Sequence, residues 1–116
     1  MPKMIEENYP SKTVRMWLDN EPATYHECNA IAQECFEDAM REVNCNLEEY
    51  NEMHVISTIA DLIEQNFREL NQAYIPEDSS CMSDLIEWLL DQVDWREIAE
   101  SYLAEVDTTV FDGVNI

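Results

Sequence analysis

Two histidines, four cysteines and 26 carboxylates are the side chains of this 116-residue sequence that could do chemistry. His26 stands beside Glu27, and Glu52 precedes His54 by two residues, so each imidazole has a carboxylate near it along the chain. A general acid–base pair needs such partners within hydrogen-bond reach. Both histidines follow helical spacing, however, and no nucleophile elbow or His-Glu-x-x-His motif accompanies them. No catalytic residue is assigned, and a surface or half-buried polar role is expected for each. Cys28 and Cys35, with His26 or His54, supply the ligand types of a metal site but lack any CxxC or HxxxH pair. Their seven-residue spacing on an apolar helical face instead predicts small buried hydrophobes. Disulfides among Cys28, Cys35, Cys45 and Cys81 would need an oxidising compartment, which nothing here implies.

The carboxylates form the stronger pattern. Glu27, Glu34, Asp38 and Glu42 recur at steps of seven, four and four. On a helix that places charges about 10, 6 and 6 Å apart along one side. Asp84, Glu87, Asp91 and Asp94 recur at three, four and three, with Cβ separations of about 5–6 Å. Glu48, Glu49, Glu52, Asp61 and Glu64, and later Glu97, Glu100 and Glu105, continue the pattern along other segments. A single acidic run is ordinarily a solvated face. Here every long segment carries one, and the bases that would normally intersperse are missing. Like charges at i,i+4 cost a helix about 0.2–0.5 kcal/mol per pair. Solubility needs a net charge of only about 2–8, and this chain has −20. A halophilic source would tolerate such a surface by screening. Calcium binding would call for a D-x-D-x-D-G loop, which is absent.

The elements that must position these rows are helical. Residues 1–12 read as an irregular arm. Thr13 caps a short helix in which Val14, Trp17 and Leu18 share a face. Pro22 opens a second helix over about 22–44, with Tyr25, Cys28, Ala32, Cys35, Ala39 and Val43 as its stripe and Ile31, Phe36 and Met40 widening it. A third, over about 47–74, repeats Ile56, Ile59, Ile63, Phe67, Leu70 and Tyr74. The segment IPEDSS (75–80) is a loop, followed by a fourth helix over about 81–93 with Leu85, Ile86, Leu89, Leu90 and Val93. Asp94, with Glu97 three residues on, starts a fifth carrying Ile98, Ala99, Tyr102, Leu103 and Val106. Residues 107–116 are β-branched and read as a short extended tail. The predicted fold is all-α: a single domain over 1–116, a compact bundle of four to five amphipathic helices. Trp17, Trp88 and Trp95 are expected in the core or half-buried.

Composition removes several functions. One glycine, Gly113, cannot build a phosphate-cradling loop. A charge of −20 repels nucleic acid and anionic membrane, so no direct binding to either is expected. No apolar run reaches the length of a signal peptide or a membrane span, so a cytoplasmic protein is expected. Apolar residues make up 46% of the chain, too many for a disordered acidic tail. The charge is also uneven. Residues 1–26 balance four acids against three bases, a net of −1, whereas residues 27–116 set 22 acids against Arg41, Arg68 and Arg96, a net of −19. Spread over a sphere roughly 35 Å across, −20 matches about ten base pairs of duplex DNA, which carries one charge per roughly 1.7 Å.

In size, charge and helix content the chain resembles the small acidic DNA-mimic inhibitors encoded by phages and mobile elements, among them anti-restriction and anti-CRISPR proteins. The segments TVRMWLDNEPATYHECNAIAQEC and SDLIEWLLDQVDWREIAESYLAEV are also similar to a family of small uncharacterised phage and plasmid proteins, through Trp-Leu-x-Asn and Val-Asp-Trp-x-Glu-Ile-Ala. The first resemblance is one of type, since that group shares no sequence motif. It implies a non-enzymatic inhibitor, without cofactor, whose carboxylates stand in for phosphates. Its partner would be the basic DNA-binding channel of a host defence nuclease or surveillance complex in the host cytoplasm; the sequence leaves the oligomeric state, a dimer included, open. Glu27, Glu34, Asp38 and Glu42, with Asp84, Glu87, Asp91 and Asp94, are the carboxylates expected to carry it. A near-neutral stretch over 1–26 departs from a surface acidic on most faces and leaves room for a separate contact there. An acidic adaptor that binds a basic protein without resembling DNA is the alternative.

Overall fold

A computed structural model describes residues 9–75 and 80–109, and these are all-helical, with no strand among them. Five helices follow in order: α1 Tyr9–Asn20, α2 Pro22–Glu42, α3 Glu52–Leu70, α4 Cys81–Asp91 and α5 Trp95–Leu103, with a 3₁₀ turn, Gln72–Tyr74, after α3. The helix expected from Thr13 begins four residues earlier, because Pro10 in the first turn needs no amide partner there. Thr13 is therefore an interior residue, and residues 9–12 belong to α1 and not to an arm. Residues 1–8 and 110–116, most of the expected arm and tail, lie outside the described residues, as do 76–79 of the expected loop.

Each boundary has a local cause. Between α1 and α2 the Thr24 hydroxyl bonds to the carbonyls of Leu18 (3.0 Å) and Glu21 (2.9 Å), and Pro22 opens α2. α2 stops where Asn44 and Cys45 turn left-handed, at φ 53° and 61°. The Cys45 amide then reaches back to the Met40 carbonyl at 2.7 Å. In a chain with one glycine, ordinary residues must take these positions. α3 starts at Glu52 and not at 47, because the Asn51 side chain accepts from the His54 amide (3.1 Å). Ser80 and Ser83 cap α4 reciprocally at 3.0 and 3.1 Å. Asp94 accepts from the Glu97 amide at 3.1 Å, as its spacing predicts.

The core centres on α3 and α5. Val55, Ile56, Ile59, Ala60 and Ile63 meet Trp95, Ile98, Ala99 and Tyr102, and α2 adds Cys28 and Ala32. α1 contributes Val14 and Leu18. Burial of one such side chain stabilises by about 1.5–3 kcal/mol. Gln33 on α2 holds the segment after α5 by accepting from the Asp107 amide (2.8 Å) and donating to its carbonyl (3.0 Å). α4 is the exception. It packs sparsely, mainly through Ser83, Ile86, Leu90 and the following Val93.

Two of the three tryptophans expected in the core or half-buried are exposed instead. Trp95 is buried, but Trp17 and Trp88 are 61% and 59% exposed. α1 packs through a narrow stripe, Ser11, Val14 and Leu18, and Trp17 falls outside it. Among the described residues α4 has a single neighbouring face, and Leu85, Trp88 and Leu89 are left outside it.

Candidate acidic docking groove

α2 and α3 enclose a groove of about 490 Å³. Glu27, Glu34, Asp38 and Glu42 all line it from α2, each exposed. The predicted row is thus a continuous edge of one concave surface. Across it α3 presents His54, Thr58, Gln65 and Glu69, and the floor is made by Ile31, Cys35, Ala39, Val55 and Leu62. The arrangement suits a ligand with cationic groups on an apolar stem, because carboxylates accept charged hydrogen bonds while the floor covers methylenes. At the wall Asn66 Oδ1 is buried without a hydrogen-bond partner among the described residues.

The row is not uniformly free. Arg41 bonds to Asp38 at 2.8 Å and to Glu37 at 3.2 Å, which neutralises part of its charge. Glu27, Glu34 and Glu42 form no ion pair among the described residues. Of the six bases, Arg15 is bound to Asp19 (2.9 Å) and Arg68 to both Glu64 (2.9 Å) and Glu87 (3.1 Å).

The second predicted row lies elsewhere. Asp84, Glu87, Asp91 and Asp94 take no part in the groove, and they do not act alike. Glu87 is the Arg68 partner, and its bridge ties α4 to α3. Asp94 caps α5 with its carboxylate, while its own amide donates to Ser11 Oγ at 2.6 Å. Only Asp84 and Asp91 are exposed without a bonded partner among the described residues. Caps and bridges occupy carboxylates that spacing alone counts as equivalent.

No family model matches the chain, and neither does any curated protein or solved structure. Chemistry at the remaining candidates follows from their surroundings. Cys28 is fully buried, and burial pushes its thiol up to about 11, with Asp19 and Glu27 adding to the effect. Burial, then Asp38 and Glu34, likewise raise the Cys35 thiol. Neither is a ready thiolate at neutral pH. His26 is exposed with its ring 5.9 Å from that of Tyr25, and His54 lies at the groove. Among the described residues no group of three or more His, Cys, Asp or Glu could hold a metal ion. No helix among them is long and apolar enough to cross a membrane.

Sequence spacing missed the groove's opposite wall and floor, and it missed the exposed face of α4. The signal for that face was present: Met82, Leu85, Ile86, Trp88, Leu89 and Leu90 are more apolar positions than one buried stripe on an eleven-residue helix can use.

Proposed function

We propose that the protein is a non-catalytic inhibitor that occupies the basic DNA-binding channel of a host defence complex, of the anti-CRISPR or anti-restriction kind, in the host cytoplasm. The observation that carries this is the row Glu27, Glu34, Asp38 and Glu42 along one edge of the α2–α3 groove, where a line of channel lysines and arginines can pair with it. The net −19 of residues 27–116 supplies long-range attraction to the same target. Immobilised protein should retain a DNA-handling complex whose binding weakens steeply as salt rises. Excess duplex DNA should displace it. Retention that persists alongside bound DNA would overturn mimicry.

A second reading has its own support. The groove floor is apolar, Asp38 is already paired with Arg41, and the molecule extends 57 Å along its longest axis. Even the whole chain's net charge of −20 set along 57 Å would give at most about one charge per 3 Å, sparser than the roughly 1.7 Å of duplex DNA. These features favour an acidic adaptor that binds a basic protein segment without excluding DNA.

A further inference from the structure

α4 is apolar around more of its circumference than it buries. At about 100° per residue, Ser83, Ile86 and Leu90 form its buried side. Asp84, Glu87 and Asp91 occupy the next arc. Trp88, Leu85, Leu89 and Met82 then fill the remaining arc of about 120°, and they are 59%, 48%, 46% and 59% exposed. A soluble chain rarely leaves large side chains contiguous in this way unless something covers them. Tryptophan is also the residue most enriched among those that dominate binding energy.

We propose that this arc of α4 docks an amphipathic basic helix of a partner protein. Leu85, Trp88 and Leu89 would receive the partner's apolar stripe, and Asp84 and Asp91 would meet lysines or arginines along one flank of it. Charge complementarity selects this occupant. The acids lie on one edge of the arc, as flanking charges do in paired helices, and Asp84 and Asp91 have no bonded partner among the described residues. α4 contains no lysine or arginine. A second copy would therefore bring an apolar arc without compensating bases, on a body whose net charge is also −20. Three turns of partner helix would match the eleven residues of α4, about 16 Å. The docking does not depend on whether the α2–α3 groove mimics DNA.

The test uses a Trp17→Phe protein, in which Trp88 is the exposed tryptophan. The probe is a synthetic helical peptide of leucine and lysine, with leucines at i, i+3, i+4 and i+7 and lysines on one flank. A scrambled peptide of the same composition is the control. The amphipathic peptide should shift Trp88 emission to the blue and bind at least tenfold more tightly than the scrambled one. Leu85→Ser with Leu89→Ser should weaken it about tenfold at unchanged thermal stability, and Asp84→Asn with Asp91→Asn about three- to tenfold. Equal binding of the scrambled peptide, or no loss on the leucine substitutions, would overturn the proposal in favour of unspecific charge attraction. So would a dimer in sedimentation equilibrium that the leucine substitutions dissociate. Trp88 emission already blue in the free monomer would mean that another part of the chain covers the arc, and would equally overturn it.

Discussion

The Tyr102 hydroxyl donates a 2.6 Å hydrogen bond to Asp19 across 83 residues of chain, joining α5 to the end of α1. Tyr102 is fully buried, and Asp19 is held in turn by Arg15 at 2.9 Å. The Arg15 guanidinium lies 4.8 Å from the centre of the Tyr102 ring and also donates to Ser101. One acid of the near-neutral first 26 residues is thus spent on architecture. Tyr102→Phe keeps the ring and removes the donor, so it should cost about 1–2 kcal/mol. Thermal unfolding should fall by roughly 4–8 °C per kcal/mol, with binding of the acidic surface unchanged.

The same cluster predicts alkaline sensitivity. Burial, and secondly the bond to Asp19, raise the Tyr102 phenol, and burial raises Cys28 from 9.0 to about 11. A group whose pKa is higher folded than unfolded holds its proton more tightly in the native state. Its contribution is complete below the unfolded value and is lost as pH rises through the folded one. Stability should therefore be unaffected by Cys28 below pH 9 and decline between 9 and 11, by about 1.4 kcal/mol per pH unit at most. Urea melts across that range check it. In Cys28→Ala the slope between 9 and 11 should be shallower, because one of the two groups is gone.

Asp94 separates capping from surface charge. Its spacing places it both in a carboxylate row with Asp91 and at the start of α5, and its side chain accepts from the Glu97 amide. Asp94→Ala should cost about 0.5–2 kcal/mol. Asp91→Ala should be neutral or slightly stabilising, because it removes a like charge without removing a cap. Equal effects on thermal unfolding would contradict the assignment.

Where one side chain decides an outcome, the sequence was readable. Pro22 opens α2, Asp94 caps α5, and the isoleucines of α3 fall inside at their predicted spacing. The row Glu27, Glu34, Asp38 and Glu42 was legible for the same reason, since four positions on one helix face share a surface whatever packs beneath. Relations between helices were not legible. The Arg68–Glu87 bridge spans 19 residues, and the exposure of Trp17 and Trp88 depends on how many neighbours α1 and α4 have. Periodicity reports that a face is apolar; it does not report whether another helix arrives to cover it.

That bridge carries its own consequence. With α4 sparsely packed, Arg68 reaching Glu87 at 3.1 and 3.3 Å is a main polar tie to α3. Both groups are solvent-accessible, so Glu87→Gln should cost only about 0.2–1 kcal/mol globally. Its local effect should be larger. Amide hydrogen exchange in α4 should accelerate while that in α3 stays at the global limit. Uniform acceleration of both helices would mean that α4 unfolds only with the whole domain.

The groove row offers the decisive separation of structure from function. In a variant with Glu27→Gln, Glu34→Gln, Asp38→Asn and Glu42→Gln, two like-charge pairs at i,i+4 disappear, a gain of about 0.4–1 kcal/mol. Loss of the exposed Asp38–Arg41 pair, at 2.8 Å, offsets part of it. Net stability should thus be unchanged or slightly higher. Inhibition of a DNA-handling target should weaken several-fold to a hundredfold, whereas each single substitution should change it little. Neutralising Asp84 and Asp91 alone should leave DNA competition intact, because they lie outside the groove. A four-site variant that is more stable and still inhibits fully would leave this row as a solvated helix face, with recognition assigned elsewhere on the molecule.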